Sequence, residues 1–273
     1  MKIVSLQPSV TVTLAGLGAL DQVVGCTRYC KDVCPEVEQR VAHGDAQGER
    51  AILEDSWTAD CAQIAALHPD VVIASVPYRL ESLAEILRAG IRVVALAPKT
   101  LADVYGDIRL LAALVDAGDA GEELVSSLRD EIARTRETTV GCPAQRVYCE
   151  AWGKPLMASQ AWVSEMVEAS GGIPLVAAGA QTTAEAVAAM QPEVILAAWC
   201  GAGERVPLHK LAAREGWAQT EAVRRGRLYC VADELFNTPS HTLLGGLRAI
   251  RWALHRELFG RPVGIRGIEE EIG

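Results

Sequence analysis

The sequence predicts an α/β fold made of two similar lobes joined by a long helix. Three observations lead to this prediction. Short apolar strands alternate with helices, one segment recurs in each half, and the middle of the chain has almost no strand-like run. Such alternation is typical of parallel sheets covered by helices. We expect a first lobe over residues 1–98, a helical linker over 99–140 and a second lobe over 141–273.

The predicted elements of the first lobe alternate regularly. Apolar runs with β-branched residues suit strands that are buried on both faces, and Gly90 is expected to close the last helix of this lobe. The predicted strands are "KIVSL" (2–6), "VVGC" (23–26), "VVIAS" (71–75) and "IRVVAL" (91–96). The predicted helices are "VTLAGLGAL" (12–20), between the first two strands, and "ESLAEILRAG" (81–90), between the last two.

An internal repeat links the two halves. "AALHPDVVIA" (65–74) and "AAMQPEVILA" (188–197) share both leading Ala residues, the Pro, the following Val and the last Ala, at an offset of 123 residues. In each copy the Pro is expected to end a helix, and the acid after it to start a turn into a buried strand. The repeat therefore predicts two lobes of the same construction.

The middle of the chain is expected to be helical. From Asp119 to Thr139 it could form one helix about 30 Å long, at roughly 1.5 Å per residue. Two lobes held by such a helix would form a fairly stiff clamp, and the cleft between them would be the natural place for a ligand.

The second lobe repeats the alternation of the first. Its predicted elements are the strand "RVYCEA" (146–151), the helix "WVSEMVEASGG" (162–172), the strand "VILAAW" (194–199), the helix "HKLAAREG" (209–216), the strand "RLYCVA" (227–232) and a last helix "LLGGLRAIRWALHRELFG" (243–260).

Composition excludes several classes of function. The net charge is −9 and no basic stripe is present, which argues against nucleic acid as a partner. No apolar run reaches the roughly 18–20 residues of a membrane-spanning helix, so membrane insertion is not expected. Nucleophile-elbow, P-loop and dinucleotide fingerprints are also missing, and the sequence does not indicate an enzyme.

Several stretches resemble one family along nearly the whole chain. "KIVSLQPSVTVTLAGLGALDQVVGCTRYC" is similar to the opening of the cobalamin-binding substrate-binding proteins, relatives of the vitamin B12 binding protein of ABC importers. "LHPDVVIAS", "WGKPLMASQAWVSEMVEASGG" and "AREGWAQTEAVRRGRLYCVADELFNTPSHTLLGGLRAI" continue the resemblance. It implies two Rossmann-like lobes joined by a long interlobe helix, the class III or helical-backbone fold of substrate-binding proteins.

The resemblance implies non-catalytic binding of cobalamin, another corrinoid or a related tetrapyrrole in the cleft, as in ABC-transporter substrate-binding proteins. In this architecture the loops after the strands face the ligand. Most of these positions are aromatic, which suits a flat or macrocyclic ligand, although two of the six aromatic side chains are expected to point inward. The predicted ligand-binding residues are Pro8, Ser9, Tyr29, Cys30, Tyr78, Trp152, Trp162, Trp199, Cys200 and Phe236.

The cysteines leave an alternative open. Cys26, Cys30 and Cys34 are spaced four residues apart, which is neither a zinc nor an iron–sulfur spacing. Together with Cys200 they could nevertheless hold a soft metal or an iron–sulfur cluster on the same scaffold. Lining of the pocket without a metal is the favoured interpretation.

Two acids and the N-terminus bear on partners and location. Glu81 and Glu204 are separated by the repeat offset, and both are expected at the start of a helix; exported relatives use such acids to dock onto an ABC permease. Because "MKIVSL" runs straight into a strand, the chain as written is expected to be cytoplasmic, or periplasmic if it is a trimmed mature form.

Overall fold

The chain divides into two compact units in the computed structural model, which describes residues 1–37, 50–53 and 60–272. Unit 1 comprises Met1–Pro98 and Ala102–Ser126, and unit 2 comprises Lys99–Leu101 and Ser127–Gly273. The three-part division of the chain drawn from the sequence stays a prediction.

Unit 1 contains a parallel sheet whose strand order, within the described residues, is β3-β2-β1-β4-β5. The strands are β1 (Ile3–Ser5), β2 (Val23–Thr27), β3 (Ala51–Leu53), β4 (Val71–Ser75) and β5 (Val93–Leu96). Successive side chains point to opposite faces, so that Ile3 joins one apolar cluster and Val4 joins another. Both faces are therefore buried, as the continuous apolar runs predict.

The helices of unit 1 follow the strands with one notable difference from the prediction. They are α1 (Pro8–Gly16), α2 (Arg28–Val33), α3 (Cys61–Ala66) and α4 (Leu80–Arg88). The helix expected over 12–20 begins instead at Pro8 and ends at Gly16. Proline favours the first helical position because its fixed φ suits a helix and it has no N–H to leave unpaired.

Two helices follow β5, namely α5 (Leu101–Leu114) and α6 (Gly118–Thr139). The helix predicted over 119–139 is confirmed as α6, which has 22 residues. None of the helices in the described part of the chain combines the length and hydropathy needed to cross a bilayer.

Unit 2 contains a mixed sheet with the order β12-β11-β10-β6-β7-β9 in the part of the chain that the structure describes, and β8 pairs with β6. The strands are β6 (Gln145–Gly153), β7 (Leu156–Ala158), β8 (Gly172–Pro174), β9 (Gln181–Thr182), β10 (Val194–Ala197), β11 (Leu228–Val231) and β12 (Ile265–Gly267). The sequence did not predict the antiparallel strands β7, β9 and β12, because each has only two or three residues and no apolar alternation.

The helices of unit 2 are α7 (Ala161–Ala169), α8 (Ala184–Ala189), α9 (Leu208–Ala212), α10 (Glu221–Arg224), α11 (Glu234–Asn237), α12 (Leu243–Leu254) and α13 (Glu269–Ile272). The predicted last helix, 243–260, was too long, because α12 ends at Leu254. The next residue, His255, is buried, and its Nε2 lies 2.9 Å from the carbonyl oxygen of Ser170. That tertiary contact removes His255 from the helical path.

The internal repeat is visible as the same backbone corner in each unit. His68 and Gln191 follow α3 and α8 with φ of 48° and 49°. Asp70 accepts a hydrogen bond from the backbone N–H of Lys2 at 2.7 Å, and Glu193 accepts one from Arg146 at 2.8 Å. The repeated Pro-acid segment thus ties the start of β4 to β1 and the start of β10 to β6.

Candidate functional site

The predicted residues of unit 1 lie where its parallel strands end. Pro8 and Ser9 follow β1, Tyr29 and Cys30 follow β2, and Tyr78 follows β4. The carboxyl ends of parallel strands meet at one edge of a sheet, which is where α/β proteins place their ligands. Sequence reasoning therefore chose one connected edge of the unit 1 sheet.

Two of the loops at this edge are joined directly. The side-chain amide of Gln7, just after β1, donates to the carbonyl of Pro77 after β4 at 2.8 Å. Tyr78 in the second loop is half-buried and packs against the apolar cluster that contains Leu6. Ser9 is largely buried, and its carbonyl accepts a hydrogen bond from Thr13.

Tyr29 presents the exposed aromatic surface of this edge, with 41% of the side chain accessible. The guanidinium of Arg28 lies 4.8 Å from the centre of its ring, and Nη2 donates to the phenol oxygen at 2.8 Å. A cation stacked on a tyrosine leaves the other ring face free to contact a flat group.

The three spaced cysteines pack inward. Cys26 and Cys30 are fully buried and Cys34 is 3% exposed, and all three belong to one hydrophobic cluster with residues of α1 and the sheet. They do not lie on one helix: Cys26 is in β2, Cys30 is in the first turn of α2 and Cys34 directly follows α2.

Cys30 has a polar surrounding inside that apolar cluster. The hydroxyl of Thr27 lies 3.2 Å from its Sγ. Burial raises the pKa of Cys30, but hydrogen bonds from Cys26, Thr11 and Thr27 outweigh burial and lower the pKa from 9.0 to about 7. The pKa of Cys26 rises because of its hydrogen bond to Cys30 and its burial. The surroundings therefore favour the thiolate on Cys30 over the thiolate on Cys26.

The described residues contain no group of three or more His, Cys, Asp or Glu side chains arranged to hold a metal ion. Cys200 is also a poor ligand at neutral pH, because desolvation and the charge of Asp233 raise the pKa of its thiol to about 11. Metal binding by Cys26, Cys30, Cys34 and Cys200 stays a prediction, and no contact among the residues that the structure describes supports it.

In unit 2 the predicted residues fall into an accessible set and a buried set. Trp152, near the end of β6, is 45% exposed, and Trp199 and Cys200 directly follow β10. By contrast, Trp162 and Phe236 are core residues, 5% and 0% exposed, and the Trp162 indole donates to the Phe236 carbonyl at 2.7 Å. These are the two aromatic side chains of the six that point inward.

The loops after β10 and β11 are fastened to each other. Asp233 accepts a hydrogen bond from the backbone N–H of Gly201 at 2.6 Å, and the amide of Asn237 donates to the carbonyl of Ala198 at 2.8 Å. Burial raises the pKa of Asp233 while these donors oppose the rise. The segment that carries Trp199 and Cys200 is thereby held at both ends.

Sequence reasoning missed a buried polar network of unit 2 that includes Trp199. Glu150 is fully buried in β6, and its carboxylate accepts hydrogen bonds from Arg214, Trp199 and Tyr148. One signal was present: an acid inside the apolar strand "RVYCEA" needs a buried partner. The partner, Arg214, is 64 residues away, and nothing local identifies it.

The two predicted docking acids differ in their settings. Glu81 lies in the first turn of α4, as predicted. Glu204 does not start a helix, which corrects the prediction, because Gly201 and Gly203 adopt positive φ and α9 begins only at Leu208. Both side chains are exposed.

Comparison with known proteins agrees with this architecture. An uncharacterised ABC transporter substrate-binding lipoprotein, YvrC of Bacillus subtilis (strain 168), is 24% identical over 272 residues, covering 94% of this chain and 81% of its own. A periplasmic haem-binding protein from Pseudomonas aeruginosa has a TM-score of 0.80 at 19% identity, with 97% of both chains covered. The periplasmic vitamin B12 binding protein BtuF of Vibrio cholerae has a TM-score of 0.72 at 20% identity, covering 93% of this chain and 96% of its own.

These structural likenesses confirm the predicted fold class. The profile of the family described as periplasmic binding protein matches residues 3–235, which is most of the chain. The chain therefore belongs to the periplasmic binding protein family.

Proposed function

We propose that this protein binds a tetrapyrrole, either a corrinoid such as cobalamin or a haem, without chemical conversion, for an ABC transporter. The observation that carries the proposal is the placement of accessible aromatic side chains at strand ends in both units of a periplasmic binding protein. Tyr29 and Trp152 are exposed, and Tyr78 and Trp199 are half-buried. Aromatic rings supply large apolar contact area at fixed orientation, which suits a flat macrocycle.

The similar proteins support the same chemical class. One structural neighbour is named for haem and another for vitamin B12, and both of these ligands are large planar macrocycles that carry a metal. The resemblance noted in the sequence favours the corrinoid. We therefore rank cobalamin first and haem second among the ligands to be tested.

Visible spectroscopy of the purified protein tests the proposal. Hemin and aquocobalamin are added separately, and binding is followed from the shift of the ligand bands and the quenching of indole fluorescence. We expect saturable one-to-one binding of at least one of them. Failure of both to bind would contradict the proposal. A brown protein without added ligand, whose colour is lost in Cys30→Ser and Cys200→Ser variants, would instead support a metal or iron–sulfur cluster.

Aromatic variants localise the site. Replacing Tyr29 or Trp152 with Leu should weaken binding roughly two- to tenfold, since one aromatic contact adds about 0.5–1.5 kcal/mol beyond its buried area. Trp252→Leu is the matched control, because Trp252 lies within α12 and packs on Tyr229 and Arg256. Equal losses in all three variants would contradict the assignment.

The relative from Bacillus subtilis bears on location and partner. That protein is named a substrate-binding lipoprotein, which supports the extracytoplasmic of the two locations left open by the sequence, and the comparisons give the cytoplasmic one no support. We infer that Glu81 and Glu204 contact basic residues of the permease. Charge reversal at both should reduce stimulation of the permease ATPase in proteoliposomes and leave the affinity for hemin or aquocobalamin unchanged; a parallel loss of affinity would argue against docking.

A further inference from the structure

Glu150 is a buried charge that is satisfied by an unusual set of donors. Arg214 approaches it with two nitrogens, Nη1 at 2.6 Å from Oε2 and Nη2 at 3.0 Å from Oε1. The phenol of Tyr148 donates to Oε2 at 3.1 Å, and the indole Nε1 of Trp199 donates to Oε1 at 2.8 Å. Of these donors, Trp199 is the one that the ligand-site prediction had already singled out.

The Trp199 ring is also held by its flat contact with the backbone. A Cβ atom added to Gly153 would lie 2.3, 2.7 and 2.8 Å from three atoms of the Trp199 ring, so the indole occupies the space that any side chain at position 153 would need. One contact fixes the indole nitrogen and the other fixes the ring. Together they leave the indole little rotational freedom.

The network is anchored in the core of unit 2. The Arg214 guanidinium lies 4.7 Å from the centre of the Trp217 ring, and Trp217 is fully buried and donates to the carbonyl of Ala184 at 3.0 Å. Tyr148 meets Trp217 edge to face, with ring centres 6.0 Å apart. The carboxylate of Glu150 therefore connects a rigid aromatic core to a half-buried indole at the loop after β10.

We propose that Glu150, held by Arg214, is a positioning residue that fixes the Trp199 indole against Gly153 as a flat platform for an apolar macrocycle. The ligand part of this inference rests on the proposed function. A simply structural ion pair would not need to include the indole of a loop residue. A buried acceptor that holds the indole N–H reduces the ordering that a ligand must otherwise impose on the ring when it binds.

The test combines a ligand-independent and a ligand-dependent measurement. The indole N–H signal of Trp199 is assigned in a nitrogen-15 spectrum by its disappearance in Trp199→Phe. In Glu150→Gln we expect this signal to shift and its hydrogen exchange to accelerate at least tenfold. Glu168→Gln, an exposed substitution in α7 of the same unit, should leave the signal unchanged. An unmoved Trp199 signal in Glu150→Gln would overturn the positioning role.

Binding then separates positioning from general damage. We expect Glu150→Gln and Trp199→Phe each to weaken hemin or aquocobalamin binding about tenfold, and the double variant to be no weaker than either single one. Additive losses would overturn the proposal. If Glu150→Gln does not fold, the paired variant Glu150→Leu with Arg214→Met removes both charges and serves for the same comparison.

The two failures remain distinguishable. If the wild-type protein binds neither ligand, the proposed function fails, whereas the exchange rate of the Trp199 indole still decides whether Glu150 positions it.

Discussion

The strand pairs β1–β4 and β6–β10 have the same register in units 1 and 2 but carry different side chains at one equivalent position. By strand register, Ile3 pairs with Val71 and Val147 pairs with Val194, the residues related by the repeat. Counting three residues onward, Leu6 in unit 1 stands where Glu150 stands in unit 2. Both side chains are buried, at 2% and 0% exposure. An apolar side chain therefore suffices in one unit, whereas the other maintains a buried charge.

The buried ion pair of unit 2 is not explained by stability alone. A buried ion pair contributes little to stability compared with an apolar side chain of similar size, because both charges lose their hydration. Unit 1 has no such ion pair at the equivalent position, which Leu6 occupies. This comparison is the reason for proposing a positioning role for the pair in unit 2, whose carboxylate accepts a hydrogen bond from the Trp199 indole.

We expect the largest loss of stability when the ion pair of unit 2 is broken. Arg214→Met leaves the Glu150 carboxylate buried without its main partner, and should lower the free energy of unfolding by about 3–5 kcal/mol. Urea unfolding measures this loss. Glu150→Leu with Arg214→Met places an apolar side chain at position 150, as at Leu6 in unit 1, and should recover most of the lost free energy of unfolding. A double variant as unstable as Arg214→Met alone would show that a leucine cannot replace the ion pair in unit 2.

A second comparison removes the acid at each corner. Asp70→Ala and Glu193→Ala each delete a charged acceptor for a backbone N–H, which should cost about 1.5–3 kcal/mol for a fully effective bond. We expect the larger loss at Glu193, because the Arg146 N–H is partly buried and the Lys2 N–H is exposed. Denaturant midpoints of the two variants decide the order, and a larger loss at Asp70 would contradict it.

A third prediction concerns the buried thiols in and after β2 of unit 1. Because the pKa of Cys30 is lowered to about 7, its thiolate should form as the pH rises through 7, and ultraviolet absorbance of the thiolate reports this step. In the unfolded chain the thiol remains protonated until about pH 9, so stability should rise with pH between 7 and 9. Cys30→Ser should abolish both effects, whereas Cys61→Ser, at a half-buried site in α3, should preserve them.

The smallest expected effect concerns the two left-handed residues. Replacing His68 with Gly should stabilise the protein by up to about 1 kcal/mol, since a non-glycine residue is strained at positive φ. Gln191→Gly should gain less, because the Gln191 side chain donates to the Ala188 carbonyl at 2.9 Å and this bond is lost. Thermal unfolding of both variants tests the order, which equal or reversed gains would contradict.

Local pattern was sufficient for most of the fold. The central strands β1, β4 and β10 are short, mainly apolar runs, and the helix α6 is a long segment without strand character. Burial on both faces and helical periodicity leave direct traces in the order of residues, so these elements could be predicted. The short antiparallel strands β7, β9 and β12 could not be predicted, because they are strands only through their pairing with β6, β7 and β11.

The candidate site was predictable only in position. The order of residues placed Tyr29, Tyr78, Trp152 and Trp199 at or after the ends of strands. In a parallel sheet such positions lie along one edge. The order of residues could not separate Trp162 and Phe236, which are core residues, from the aromatic side chains that remain accessible. Which way a ring points depends on packing between elements that are distant in sequence.

The order of residues was enough to identify the family, the repeated Pro-acid segment and the positions of the strand ends, because each of these is a short contiguous pattern. The tertiary structure alone decided that Cys26, Cys30 and Cys34 face the core and that Glu150 holds Trp199 with the help of Arg214. Both cases depend on contacts in space between residues that are distant in the chain: the apolar cluster around the cysteines includes Leu111 and Val115, and Arg214 lies 64 residues from Glu150.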